Sequence, residues 1–129
     1  CCVGNSITYG SGIKNQFQNS YPGLLSQLLG EGYDVRNFGI SARVMLNKGD
    51  HPYMHEQKFR DLLAFQPDIV TIKLGTNDSK PWNWRYGKDF GKDLTEMLDI
   101  LQDLPSKPKI YLCLPCAGCE NGISVSTTV

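Results

Sequence analysis

Cys1-Cys2-Val3-Gly4-Asn5-Ser6-Ile7-Thr8-Tyr9-Gly10 begins with a short apolar run and passes at once into Gly, a small polar residue and Ser. That order reads as a β-strand ending in a tight turn, which can hold a serine hydroxyl at the open end of a sheet. A serine hydroxyl is a weak nucleophile unaided. It needs a base to take its proton and fixed donors for the oxyanion its attack creates. Both must come from elsewhere in the chain.

Working outward, three more β-prone stretches follow the first at Cys1–Val3: Tyr33–Phe38, Asp68–Leu74 and Lys109–Leu114. Ile69, Val70, Ile72 and Leu74, and later Ile110, Tyr111, Leu112 and Leu114, form near-continuous apolar runs of the kind expected in strands covered on both faces. Between the strands lie three helical patterns. The first carries Leu24, Leu25, Leu28 and Leu29, with Pro22 suited to its first turn and Gly30 and Gly32 to its exit. The second carries Phe59, Leu62, Leu63 and Phe65 and stops before Pro67. The third carries Phe90, Leu94, Met97, Leu98, Leu101 and Leu104 and stops before Pro105. Strands alternating with helices predict an α/β fold, a parallel sheet with helices on both faces. In such sheets the loops after the strands share one rim, and sites form where the strand order reverses. Here those loops begin at Gly4, Gly39, Gly75 and Pro115.

The bulk properties set bounds. A chain of 129 residues suffices for one domain with a modest core. Thirteen basic residues balance thirteen acidic ones, so charge points neither to nucleic acid nor to an anionic membrane. No apolar run is long enough to span a bilayer. The five cysteines, Cys1, Cys2, Cys113, Cys116 and Cys119, cluster at the two ends and do not form a disulfide framework. Compartment stays open.

The motifs at the rim resemble those of the SGNH or GDSL hydrolases. Gly4-Asn5-Ser6-Ile7-Thr8 is similar to the family's first motif, with Asn5 where Asp is more usual. Asn37-Phe38-Gly39-Ile40-Ser41-Ala42 looks like its second block, and Gly75-Thr76-Asn77-Asp78 matches its Gly-x-Asn-Asp motif. The continuation Ser79-Lys80-Pro81-Trp82-Asn83-Trp84 looks most like the sialate or carbohydrate O-acetylesterase branch. The resemblance implies a flavodoxin-like three-layer α/β/α sandwich with at least four parallel strands. It also implies a serine esterase or lipase that needs no cofactor or metal. Ser6 would be the nucleophile, and its own N–H, the Ala42 N–H and the Asn77 carboxamide would face the oxyanion. The family usually has Gly at the Ala42 position, so a positive φ there would strain the alanine. Singly, each motif has a plainer reading: Ser6 as a helix or turn cap, Asn77-Asp78 as an Asx turn. Their combination favours the hydrolytic site.

The family's Asp-x-x-His motif, which supplies the base, does not occur in this sequence. The chain therefore reads as a single domain over 1–129, C-terminally incomplete, with an atypical tail at 116–129. The two histidines, His51 and His55, stand in Asp50-His51-Pro52-Tyr53-Met54-His55-Glu56. That loop follows the second strand, so either histidine is a candidate substitute base, with Asp50 or Glu56 to orient it. The plainer reading is an exposed loop and helix start.

Cys113-x-x-Cys116-x-x-Cys119 has the look of metal ligation but lacks a fourth ligand at suitable spacing. Trp82 and Trp84 beside Asn77 suit stacking on sugar rings or acyl groups, unless one packs under its own loop. A fourth strand at the sheet edge would invite self-association, giving a homo-oligomer. The sequence thus predicts hydrolysis of short-chain, acetyl esters, with carbohydrate as a candidate alcohol. The alternative is a glycan-binding module on the same scaffold. A nucleotide binder is disfavoured because the first loop lacks a glycine-rich phosphate cradle.

Overall fold

The computed structural model describes residues 1–115. Four strands, β1 (Cys2–Gly4), β2 (Asn37–Gly39), β3 (Ile69–Lys73) and β4 (Lys109–Leu112), pair in parallel in the order β2-β1-β3-β4. The order reverses at β1, so the loops after β1, β2 and β3 leave one end of three adjacent strands. Six α-helices accompany them: α1 (Ser6–Tyr9), α2 (Gln16–Asn19), α3 (Tyr21–Leu29), α4 (Gln57–Phe65), α5 (Pro81–Trp84) and α6 (Phe90–Gln102). The arrangement is the three-layer α/β/α sandwich expected.

One face of the sheet carries the core. Val3, Phe38, Val70 and Ile72 pack with Phe59 and Leu62 of α4 and Met97 and Leu101 of α6, all buried. Side chains alternate across a strand, so Thr71 points to the other face. There the Tyr21 hydroxyl of α3 meets Thr71 Oγ1 at 2.8 Å. Ser20 caps α3 through its hydroxyl, which accepts from the Gly23 N–H. Contact with the sheet is made chiefly by the helix's first turn. Pro22 is buried, whereas Leu24 and Leu28 are 47% and 84% exposed.

The strands are shorter than their apolar runs. The register pairs Cys2 with Asn37, so 33–36 lie beyond the first residue of β1 and form a loop in which Arg36 pairs with Asp34. β4 ends at Leu112, and burial on both faces does not hold for it. Among the described residues β4 pairs with β3 alone, and Tyr111, Leu112 and Leu114 are exposed. Cys113, expected inside a buried strand, lies past the strand end and is exposed. Cys116 and Cys119, and with them the metal-like spacing, lie outside the described residues. Among the described residues no helix is long and apolar enough to cross a membrane.

Candidate active site

The first motif folds as a strand, one capping residue and a four-residue helix. Asn5 is the cap: its side-chain oxygen accepts from the Ile7 N–H at 3.0 Å, and the residue is buried. Capping therefore falls to Asn5 and not to Ser6, which is the first residue of α1. Among the described residues the Ser6 hydroxyl makes no hydrogen bond, and the side chain is half-buried. Two glycines let α1 lie directly on the strand ends. A Cβ on Gly4 would come within 2.6 Å of Thr8 Cβ and 2.9 Å of the Lys73 carbonyl. A Cβ on Gly39 would come within 2.8 Å of Tyr9 Cα. Asn37 ties the same junction, donating to the Thr8 and Tyr9 carbonyls and accepting from the Gly39 N–H.

The loop after β2 passes Ser41 to Ala42, whose φ is +67°. Alanine in this left-handed region costs roughly 1–2 kcal/mol, so the loop must be fixed by its surroundings. The fixing comes from the loop after β3. The Asn77 carboxamide donates to the Arg43 carbonyl at 3.1 Å. The carboxylate of the next residue, Asp78, is fully buried and accepts from the Met45 and Leu46 N–H groups at 3.0 and 2.8 Å. Asp93 of α6 then accepts from the Asn47 N–H at 2.8 Å. Burial pushes the Asp78 carboxyl above its ordinary range, against the pull of the backbone donors it holds. These bonds reach 32 to 46 residues along the chain, so Asn77 and Asp78 are not closing an Asx turn on themselves. A carboxamide has two N–H donors. Anchoring one on Arg43 leaves the other for a ligand.

Ser6 at the start of α1, and Ala42 and Asn77 in the loops after β2 and β3, thus follow three adjacent strands at one rim, stitched together by the Ile40 N–H to Gly4 carbonyl bond and by Asn77 on Arg43. Ser11 and Ser41 add a hydroxyl contact of 2.6 Å.

His51 and His55 are both exposed, and neither side chain forms a hydrogen bond among the described residues. The acids expected beside them are engaged elsewhere. Asp50 accepts from Trp82 Nε1 at 3.0 Å and from Asn83 Nδ2 at 3.1 Å. Glu56 is paired with Arg43 at 2.9 Å. The two tryptophans also differ. Trp84 packs locally, its ring 5.9 Å from that of Phe90 and Gly87 lying against it. Trp82 is 53% exposed. Lys48, in the second-block loop, pairs with Asp89.

A family model described as GDSL-like Lipase/Acylhydrolase matches residues 2–127. The chain belongs to this family. An acetylxylan esterase of Xylanibacter ruminicola is 52% identical over 131 residues, spanning 88% of this chain and 27% of that protein. Among solved structures, the native aryl esterase of M. smegmatis superposes with a TM-score of 0.68 over 86% of this chain and 60% of its own. A carbohydrate acetylesterase from Sinorhizobium meliloti gives 0.62 over 88% and 60%. Both are 22% identical to this chain, a likeness that speaks to the fold. This GDSL-like chain therefore spans about a quarter of the length of its curated relative and three-fifths of those solved chains.

Two residues that hold these loops, Asp78 and Asn83, have no role legible in the sequence of this GDSL-like chain. Asp78 has only its place in the motif as a signal; a buried carboxylate with partners more than thirty residues away leaves no local pattern. Asn83, 1% exposed, accepts from the Asp50 N–H and donates to the Asp50 carboxylate and the Asn77 carbonyl. A polar residue between two tryptophans was the available signal.

Proposed function

We propose that this protein hydrolyses short-chain carboxylic esters, acetyl esters of carbohydrate foremost, through an acyl-enzyme on Ser6. The Ser6 hydroxyl oxygen attacks the ester carbonyl and gives up its proton to a base. The resulting oxyanion is met by the Ser6 N–H, the Ala42 N–H and the second N–H of Asn77. Collapse expels the alcohol, and water then attacks the acyl-serine to release acetate. Preorganised donors of this kind stabilise charge that appears only in the transition state. The observation that carries the reading is the anchoring of Asn77 on the carbonyl next to Ala42, where a strained backbone is held in place. The relative named an acetylxylan esterase supports the acetyl group and the saccharide.

Within this sequence the candidate bases are His51 and His55. A second reading is a glycan-binding module without turnover. It is favoured by the engagement of Asp50 with Trp82 and Asn83 and of Glu56 with Arg43, so that neither carboxylate is hydrogen-bonded to an imidazole among the described residues. Self-association through the exposed β4 edge is a further part of the proposal.

Hydrolysis of acetylated xylo-oligosaccharide and of p-nitrophenyl acetate by the wild type and Ser6→Ala tests the reading. Turnover of both esters that disappears in Ser6→Ala is expected. Equal turnover by the two proteins would refute it. The aryl ester alone is a weak criterion, because donors and binding without a full triad still accelerate such reactions roughly 1,000- to 10,000-fold.

A further inference from the structure

A continuous chain of hydrogen bonds leads away from the oxyanion loops to the surface. Asn77 presents its carbonyl to Asn83 Nδ2 at 3.0 Å. The same Asn83 amide group donates to Asp50 Oδ1 at 3.1 Å, and its oxygen accepts from the Asp50 N–H at 2.9 Å. Asp50 Oδ2 in turn accepts from Trp82 Nε1 at 3.0 Å. Asn83 is buried, and Gly49 beside it leaves room for nothing larger: a Cβ there would stand 3.1 Å from the Asn83 oxygen. The outer end of the chain is an aromatic ring half open to solvent, with the Lys80 ammonium over it, 5.6 Å from the ring centre.

An exposed indole normally turns freely on its two side-chain torsions. This one is fixed by its only polar atom, and the fixing group is itself fixed to the backbone of the candidate oxyanion donor. A flat apolar ring held at a set distance from a reactive carbonyl site suits a flat apolar ligand face, and a pyranose ring has one. Preorganisation reduces the ordering cost of binding.

We infer that Asp50 and Asn83 are positioning residues that hold Trp82 as a stacking platform for the sugar ring of an acetylated saccharide, in register with Asn77. The inference rests on the ester-hydrolase reading for its substrate class, and it assigns Asp50 to substrate placement and not to orienting a histidine. Burial would raise the Asp50 carboxyl, but the hydrogen bonds from Trp82 and Asn83, with smaller help from the charge and backbone N–H of His51, hold it below the ordinary range. The group is therefore ionised, and a full acceptor, at neutral pH.

The experiment is calorimetric binding of acetylated xylo-oligosaccharide to the full chain, run beside organophosphonate labelling of Ser6. Trp82→Ala should weaken binding about tenfold, the scale of one aromatic contact. Asp50→Ala should weaken it about three- to tenfold, the scale of the lost hydrogen bonds. Asp50→Asn, which keeps one acceptor, should recover part of the loss. In a Trp84→Phe background the fluorescence anisotropy of Trp82 should fall with Asp50→Ala and return with Asp50→Asn, a readout that a general loss of stability would not restore. Wild-type binding that is absent, or that is unchanged in Asp50→Ala, overturns the inference. The labelling arm reports separately on the hydrolase reading. Binding without labelled Ser6 would sink that reading and keep the platform, and labelling without binding would do the reverse.

Discussion

The loop from Ala42 to Asn47 and the segment from Asp50 to Glu56 are neighbours in sequence, both are tied to the body of the protein, and they differ in what holds their functional groups. The first is over-determined: a left-handed alanine, a carbonyl held by Asn77, and three backbone N–H groups held by Asp78 and Asp93. In the second, both histidine side chains are exposed and without hydrogen bonds among the described residues, and both acids serve other partners. Electrostatic stabilisation of an oxyanion demands donors that do not reorganise, so rigidity is what such a loop must supply. A general base must sit within hydrogen-bond reach of the nucleophile and is normally steered by a third group. The candidate donor loop is thus tightly held, while the two histidine side chains have no hydrogen bond among the described residues.

The comparison breaks most visibly at Asn77. Asn77→Ala removes both a donor and the anchor of the Ala42 loop, so kcat for ester hydrolysis should fall roughly 100- to 1,000-fold. A change under threefold would remove Asn77 from the site. Next is Asp78→Ala, which leaves the Met45 and Leu46 N–H groups unmet and should lower unfolding free energy by about 2 kcal/mol in urea. An unchanged midpoint would mean that the carboxylate is not what pins the loop.

The other two substitutions sharpen the contrast. Replacing His51 and His55 together by alanine should reduce turnover less than about tenfold. Loss of a working general base typically costs roughly 100- to 10,000-fold. A loss of that larger size would make one of them the base and erase the asymmetry. Smallest is Ala42→Gly. It keeps the N–H donor and relieves the strain while adding backbone entropy, for a net gain of about 0.5–1 kcal/mol in thermal or urea unfolding. A loss of stability would show that the left-handed turn does not burden the alanine.

Much of this was legible in the sequence because its signals are local. Apolar runs, helical spacing and the glycines at Gly4, Gly39 and Gly75 locate the sheet, the rim and the loops that carry Ser6, Ala42 and Asn77. Strain at Ala42 follows from the resemblance, because the family usually has Gly at that position. What escaped depends on pairing across distance. Tyr33–Val35 have strand-like composition but lie outside the register that Cys2 and Asn37 set. Tyr111 and Leu112 read as buried, yet they are exposed on a strand that pairs with β3 alone among the described residues. The leucines of α3 have helical spacing, but the helix meets the sheet through Tyr21 and Pro22. Asp50 sits beside His51 in sequence, which suggested a histidine–acid pair; in space its carboxylate faces Trp82 and Asn83.

A crystal structure of the protein carrying an organophosphonate on Ser6 tests the central claim most directly, because the phosphoryl oxygen stands where the ester oxyanion would. The account predicts that oxygen within about 2.7–3.1 Å of the Ser6 N–H, the Ala42 N–H and the Asn77 carboxamide nitrogen. An oxygen turned to solvent, touching none of the three, would contradict it.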